Sequence, residues 1–486
     1  MTSSRRSVSS NIIFNTIKSV SQILLPLVTY PYLLRILGAS NIGKVSYGAS
    51  IISYFSLIAV LGTNTYAVRE GARIRDDKKE VQVFASQIFA INICLTVFSY
   101  ALLILIIIFN NSLASYRALL LIQSLSILAT STSFEWVNSV FEDFLYITVR
   151  SIIINCMQIT GIFIFVHKPS DYLVYAFIQT SAVLLISVTN WIYCRKYISL
   201  SLPKKAGLSR HFKPLLILFS NNVAVQIYMN IDTVMLGAMT SDKDVGLYSS
   251  AVKLYSLVKN ILASVYIVPL SRLSYYKANN DNKNFIKLYT NLTSALTIVI
   301  IPISTGMFVL SKGLMLILGG SEYAEASITL KILSISFIFA LYGGLISQCL
   351  NIALRNEKIN LLATIGGALL DFIINLLIIK RFHYNGAAFT TLVAELFVLV
   401  FCMIRTPDFK NYIIWKKVRK SLLHAVFESM LIVIIYISLS HIITNEIIIT
   451  IATVIISIAS YAVILIVLRD EMLLMIIRKL KNKFIR

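Results

Sequence analysis

The chain has 486 residues, of which 57% are apolar or aromatic and only 14% are charged, with 44 Lys and Arg against 22 Asp and Glu. Soluble domains carry about 45–50% apolar and about 25% charged residues, so a soluble enzyme, a disordered chain and a protein with a single membrane anchor are excluded. In a soluble protein a net charge of +22 would point to nucleic acid. In a membrane protein it first asks which side the cations face.

A short basic start (Arg5, Arg6) leads into an apolar segment. That segment is too long for the apolar region of a signal peptide and lacks a small-residue cleavage site, so it reads as a first span. Further apolar runs long enough to cross a bilayer lie near 42–66, 82–109, 114–138, 146–166 and 172–194, after the first near 10–36. A basic stretch from Arg195 to Lys213 separates these from runs near 214–239, 245–270, 288–311, 326–352, 359–379 and 386–404. A second basic stretch, Arg405 to Lys420, precedes two final runs near 422–441 and 446–468. At these lengths, without period-2 alternation, the runs are helices rather than buried strands. The expected fold is an all-α polytopic membrane protein of about fourteen transmembrane helices. Its expected domains are an N-terminal six-helix lobe over 1–200, a second six-helix lobe over 201–404, and a basic linker, two peripheral helices and a basic cytoplasmic tail over 405–486.

An even number of spans places both termini on one side. With the N-terminus in the cytoplasm, 32 of the 44 Lys and Arg fall in inside segments, Arg150 among them, and 8 fall outside. That is the bias the positive-inside rule demands. Four remain at depth: Lys18, Lys253, Lys259 and Lys331. The outer loops are short, the longest candidate being 312–325, and leave no room for an external catalytic domain. The tail, Met472 to Arg486, alternates Leu, Ile and Phe with Lys and Arg, as does a basic helix lying on the inner membrane face; a solvated tail is the alternative.

The five cysteines (Cys94, Cys156, Cys194, Cys349, Cys402) sit singly in or beside apolar runs, with no CxxC or Cys/His spacing. They support neither a disulfide framework nor a zinc site. Gly38 to Lys44 begins like a phosphate-binding loop, but Val45 follows where a magnesium-binding hydroxyl is required, and the match lies between two spans. With no catalytic motif and no cofactor fold, transport energy must come from a gradient or from the substrate.

An internal repeat links the halves. Leu37-Gly38-Ala39, followed by Gly43, Tyr47, Ala49 and Tyr54, is echoed by Leu236-Gly237-Ala238, followed by Gly246, Tyr248, Ala251 and Tyr255. Blocks of six spans have parallel topology, the class of repeat whose substrate sites lie near the bilayer midplane. The polar residues Asn11, Asn15, Ser19 and Gln22 recur at helical spacing on one face of the first span, as do Asn222, Gln226, Asn230 and Thr233 in the matching span of the second half. Such stripes face a bundle interior or water, or act as helix-packing contacts. A charge at the bilayer centre costs about 2.5–3.5 kcal/mol even on the mild insertion scale. Lys259, Asp371 and Glu395 lie nearest the midplane, with Lys18, Lys253, Asp232 and Lys331 shallower. Lysines can snorkel, whereas Asp371 and Glu395 must face a cavity or a partner. Asp232 either serves a site or pairs with Lys253 or Lys259.

The stretches LPLVTYPYLLRILGASNIGKVSYGASIISYF (Leu25 to Phe55), LGTNTYAVREGARIRDD (Leu61 to Asp77) and NIDTVMLGAMTSDKDVGLYSSAVKLY (Asn230 to Tyr255) resemble bacterial Wzx-type polysaccharide flippases. These belong to the multidrug/oligosaccharidyl-lipid/polysaccharide exporter superfamily. The chain departs from the pattern at Ala67-Val68, where many relatives carry a Gly-Thr-like pair. The resemblance implies two six-helix lobes around a central cavity with two peripheral helices. It implies no catalytic residue, metal or cofactor, and alternating access coupled to H+ or Na+. The implied cargo is an undecaprenyl-diphosphate-linked oligosaccharide repeat unit, moved from the inner to the outer leaflet of the bacterial plasma membrane for O-antigen or other surface polysaccharide synthesis. Lys18, Arg35, Lys253 and Lys259 are then candidates for the diphosphate. Asn11, Asn15, Gln22, Asn222, Gln226 and Asn230 are candidates for the glycan, and Asp232, Asp371 and Glu395 for the coupling ion. Expected partners are the lipid-linked substrate, membrane lipids, a polysaccharide polymerase and a chain-length regulator, with no nucleic acid, around a monomeric transporter. The alternatives are a multidrug or cation exporter of the same superfamily, a lipid II flippase, and a membrane glycosyltransferase or polymerase.

Overall fold

The computed structural model of the protein describes residues 8–199 and 207–467, and the side chains of these except 8–26, 221, 267–268 and 462–467. The basic tail from Met472 lies outside the described residues. Among the described residues the chain is helical and contains no strand. It divides after Gly246 into two compact units. The first holds α1 (Val8–Val60), α2 (Thr63–Ile74), α3 (Lys78–Phe109), α4 (Arg117–Ser131), α5 (Glu135–Val140), α6 (Phe144–Phe165), α7 (Tyr172–Cys194), α8 (Ser209–Met239) and the start of α9 (Asp242–Ala263). The second holds the rest of α9, α10 (Ile267–Ala278), α11 (Asn282–Val309), α12 (Ser311–Gly319), α13 (Ser327–Leu345), α14 (Glu357–Arg405), α15 (Trp415–Ile442) and α16 (Glu446–Val467). Eleven helical segments among the described residues are long and apolar enough to cross a membrane.

The two longest helices are each two helices. As a straight rod, the 53 residues of α1 would run about 80 Å, well over twice the roughly 30 Å hydrocarbon core. The break falls at Gly38, with φ 74° and ψ 167°, a conformation that only glycine adopts without strain. The 49-residue α14 breaks in the same way at His383.

Burial in the helices is inverted relative to a soluble protein. On α3, Asn92, Thr96 and Ser99 are buried, while Val97, Phe98, Leu105 and Ile108 are each at least half exposed. An apolar exterior of this extent fits lipid, not water. Each of these three polar side chains donates to a nearby acceptor. Asn92 Nδ2 donates to the Ser131 carbonyl (3.1 Å), Thr96 Oγ1 to Asn92 O (2.6 Å) and Ser99 Oγ to Phe55 O (2.8 Å). Such pairing is obligatory where no water is available.

In the first unit the repeated Leu-Gly-Ala motifs take different roles. Gly38 is the break in α1, whereas Gly237 stays within α8 and packs beneath Tyr47, so that a Cβ there would lie 2.2 Å from the ring. Gly43 and Gly246 bring the second half of α1 against the start of α9. A Cβ on Gly43 would stand 1.8 Å from Asp242 O, and one on Gly246 1.9 Å from Ala39 O. Tyr116 Oη donates to Asp242 at the same crossing.

At the other end of α6 and α7, the Asp143 carboxylate accepts from Tyr193 Oη (2.5 Å), Tyr197 Oη (2.9 Å) and Lys196 Nζ (3.0 Å). Burial pushes its carboxyl up, but the three donors outweigh burial and hold its pKa below the ordinary carboxylate value. In the second unit α11 packs on α13 and α15. Pro302 within α11 cannot donate to the Ile298 carbonyl, and Tyr461 Oη donates to it instead (3.2 Å). Asn351, fully buried, donates to Asn360 Oδ1 and accepts from Thr406 Oγ1, each at 2.8 Å.

Gly43→Ala and Gly246→Ala are expected to abolish a monodisperse, detergent-stable protein in size-exclusion chromatography. Gly38→Ala, which strains the backbone at φ 74°, should cost about 1–3 kcal/mol and lower the melting temperature. Asp143 should confer an acid limb on stability. Its contribution is present above the unfolded-state pKa and is lost as pH falls through the depressed folded value. Asp143→Asn should therefore lower the melting temperature at neutral pH and flatten its fall toward acid, and an unchanged acid limb in the variant would refute the assignment.

Candidate functional site

The first unit holds an open-mouthed cavity of about 460 Å³ between four helices. The second half of α1 supplies Ser53 and Ser56, α4 supplies Gln123, Ser126 and Thr130, α7 supplies Gln179 and Thr180, and α8 supplies Gln226. The remaining lining is aliphatic, and no charged side chain is among it. The polar residues fall there because Gln123, Ser126 and Thr130 are spaced three and four apart and so share one face of α4. Gln226 Nε2 donates to Ser53 Oγ at 2.6 Å, tying α8 to α1 across the cavity. Gln123 Nε2 donates to the Val45 carbonyl (3.0 Å). Its Oε1, buried and without a hydrogen-bond partner, lies over Gly48, where a Cβ would come within 2.3 Å.

The hydroxyls are oriented by their own helices. Ser53 donates to Ser50 O, Ser126 to Gln123 O, Thr130 to Ser126 O and Thr180 to Ala176 O, all at 2.6–2.8 Å. A hydroxyl that spends its one proton on a backbone carbonyl still has lone pairs with which to accept.

The second unit contributes charge. Lys259 on α9 reaches Glu395 on α14, Nζ to Oε1 3.1 Å, with side chains 23% and 8% exposed. Tyr255 Oη lies 3.4 Å from the same Nζ, and the Tyr255 ring packs edge-on against Phe337. Of the alternatives open in the sequence, the ion pair of Lys259 is thus with Glu395. Glu395 is compensated by a cation, as a carboxylate at that depth must be. Asp371 on α14 is buried, and Lys331 on α13 sits 5.7 Å from the Phe308 ring centroid.

The remaining sequence candidates scatter. Asn11, Asn15, Lys18 and Gln22 lie on the first part of α1, but their side chains are outside the described residues. Asn222 is half-buried on α8. Asn230 turns back on its own helix, donating to Gln226 O at 3.3 Å. Asp232 is buried on α8, while Arg35 and Lys253 are exposed. Arg150, counted from the sequence as a loop cation, is instead buried on α6 and paired with Glu135 at 2.5 Å. The cavity residues of α4 and α7 were not singled out from the sequence, although the spacing of Gln123, Ser126 and Thr130 was the available signal. Among the described residues no group of three His, Cys, Asp or Glu stands together to hold a metal ion.

Known proteins share this sequence and fold. The sequence pattern of the family described as "Polysaccharide biosynthesis protein" matches residues 8–271. An Escherichia coli (strain K12) protein named "Putative O-antigen transporter" is 26% identical over 419 residues, 82% of this chain and 96% of that one. A structure of the lipid II flippase MurJ in an inward closed conformation superposes with a TM-score of 0.73 at 18% identity, covering 95% of this chain and all of that one. An inward-facing multidrug resistance MATE family transporter of the MOP superfamily superposes with a TM-score of 0.58 at 12% identity, covering 82% of this chain and 98% of that one. The fold is thus common to proteins named for a lipid-linked cargo and for drugs, and does not by itself choose between them.

Removing one member of a fully buried ion pair costs about 3–5 kcal/mol; with Lys259 partly exposed, Glu395→Gln is expected to cost about 2 kcal/mol. The double variant Lys259→Met/Glu395→Leu should recover much of the lost melting temperature, because no charge is left uncompensated. A double variant as unstable as the single one would show that the two groups do not compensate each other.

Proposed function

The chain belongs to the polysaccharide biosynthesis protein family, and we propose that it is a flippase moving undecaprenyl-diphosphate-linked oligosaccharide repeat units from the inner to the outer leaflet of the plasma membrane. The observation that carries this reading is the near end-to-end relationship to the Escherichia coli protein, 96% of whose length is matched. The named relatives and structural neighbours are transporters and flippases rather than enzymes.

The chemistry of such a cargo states what the protein must supply. A diphosphate carries about two negative charges and the glycan is uncharged or weakly charged and strongly hydrated; neither enters hydrocarbon unaided. Lys259, held by Glu395 and Tyr255, offers a cation at membrane depth, with Lys18, Arg35 and Lys253 as further candidates. The amides of Asn11, Asn15, Gln22, Asn222, Gln226 and Asn230 replace water around the glycan. Asp232, Asp371 and Glu395 are the carboxylates through which H+ or Na+ would couple to alternating access. A cation exporter would be better served by acidic residues alone. With each broken helix taken as two crossings and α16 as one, the number is even and both termini would share a side, and the 32-to-8 cation bias supports the cytoplasm as that side. A polymerase and a chain-length regulator are the partners that would act on the delivered product.

Loss of the gene should leave synthesis of lipid-linked repeat units intact and make them accumulate in the inner leaflet, with wild-type chain restoring surface polysaccharide. Lys259→Ala should reduce export at least about tenfold, equivalent to about 1.4 kcal/mol of lost substrate interaction, at normal membrane insertion; unimpaired export would remove Lys259 from the mechanism. An impermeant maleimide should label Lys312→Cys in intact cells and Lys283→Cys only after lysis, and the opposite pattern would invert the topology.

A further inference from the structure

We propose that the cavity between α1, α4, α7 and α8 is a binding site for an uncharged sugar ring of the transported glycan, read through hydroxyl and amide groups without any charge. This deepens the flippase reading and rests on it.

Three observations carry the assignment. The first is composition: eight of the thirteen lining residues are Ser, Thr or Gln, and none is acidic, basic or aromatic. A diphosphate needs donors with positive charge, and an organic cation is met by acidic or aromatic groups. This lining serves neither.

The second is the sense of the hydrogen bonds on offer. The hydroxyls of Ser53, Ser126, Thr130 and Thr180 each donate to a carbonyl of their own helix, so toward the cavity they can only accept. Gln179, half-buried on the rim of α7, makes no hydrogen bond among the described residues, so its amide brings two donors and an acceptor. Gln226, whose amide already donates to Ser53, closes the α8 side. A row of acceptors facing a free amide complements a ring whose hydroxyls must each both donate and accept.

The third is size. About 460 Å³ falls within the roughly 300–1,000 Å³ of small-ligand pockets. It lies inside a unit whose outer surface is apolar, so a polar cavity there has no role in packing against lipid. The ionic end of the cargo is served separately by Lys259 and Glu395 in the second unit, which leaves this neutral site to the sugars.

The test uses the full chain in lipid nanodiscs with Ser126→Cys or Gln179→Cys, changes small enough to preserve the fold. Modification by N-ethylmaleimide is followed residue by residue with peptide mass spectrometry. The probes are lipid-linked oligosaccharide extracted from the host's own membranes and sugar-free undecaprenyl diphosphate. With the oligosaccharide at about ten times its dissociation constant, modification at both positions should slow about tenfold, since only the unoccupied fraction reacts. The exposed Cys156 on α6 should be unaffected, and the sugar-free lipid should protect neither position. Unchanged modification with both probes means that the cavity holds water only and overturns the assignment. Equal protection by the sugar-free lipid makes it an anionic or lipid site and overturns it as well. Translocation of the same oligosaccharide is measured in parallel in proteoliposomes. Translocation without protection refutes the cavity assignment alone. Absence of translocation by the wild-type chain refutes the flippase reading and the assignment with it.

Discussion

At membrane depth water is scarce as a hydrogen-bond partner, so the fold is required to pair most of its polar groups within the helices. The rest of this structure follows from that requirement. It turns Asn92, Thr96 and Ser99 of α3 inward and leaves Val97 and Phe98 to the lipid. It makes side-chain to carbonyl bonds the cross-links between helices: Ser99 to Phe55 O, Ser304 to Ser334 O, Tyr266 to Leu341 O. Where Pro302 removes a backbone donor, Tyr461 supplies one from a neighbouring helix. Glycine serves the same end by another route. Gly43 and Gly246 let helices approach until backbone meets backbone, replacing apolar burial, which drives nothing in a solvent as apolar as leucine, with close packing.

The same constraint sorts the charges into those that hold topology and those that do work. Most of the described Lys and Arg lie on helices, and two of the buried or half-buried ones are paired with a carboxylate, Lys259 with Glu395 and Arg150 with Glu135. A membrane protein retains such pairs only where they are needed, because each ion must be taken out of water. The neutral cavity of the first unit and the ion pair of the second offer two different chemistries. Under the proposed function, a lipid-linked glycan, with an ionic head and a hydroxylated chain, would present the matching two.

Much of the helical layout could be read from hydropathy. The runs expected near 82–109, 146–166, 172–194 and 422–441 reappear as α3 (Lys78–Phe109), α6 (Phe144–Phe165), α7 (Tyr172–Cys194) and α15 (Trp415–Ile442). A continuous apolar stretch has one solution in lipid, so its ends are set by where polar residues resume. The Leu-Gly-Ala repeat was legible as a pattern, but not the division of labour within it, in which Gly38 breaks a helix and Gly237 seats Tyr47. Gln226 was visible as part of a polar stripe. Its bond to Ser53, 173 residues away in sequence, was not, and neither was the cavity that the bond closes.

The sequence by itself determined the solvent and most of the helices, because those depend on how many apolar residues run together and on where polar residues interrupt them. Its stretches near Leu25 and Asn230 also pointed to the family that the matched residues 8–271 establish. Only the tertiary structure decided which deep charges meet, which glycines carry a contact, and which hydroxyls and amides face a shared space. Lys259 and Glu395 are 136 residues apart, Arg150 reads as a loop cation until α6 buries it, and Ser126 and Gln179 are unremarkable until α4 and α7 bring them to one cavity. Periodicity states which face of a helix a residue occupies; what that face meets is settled by how helices distant in sequence pack together.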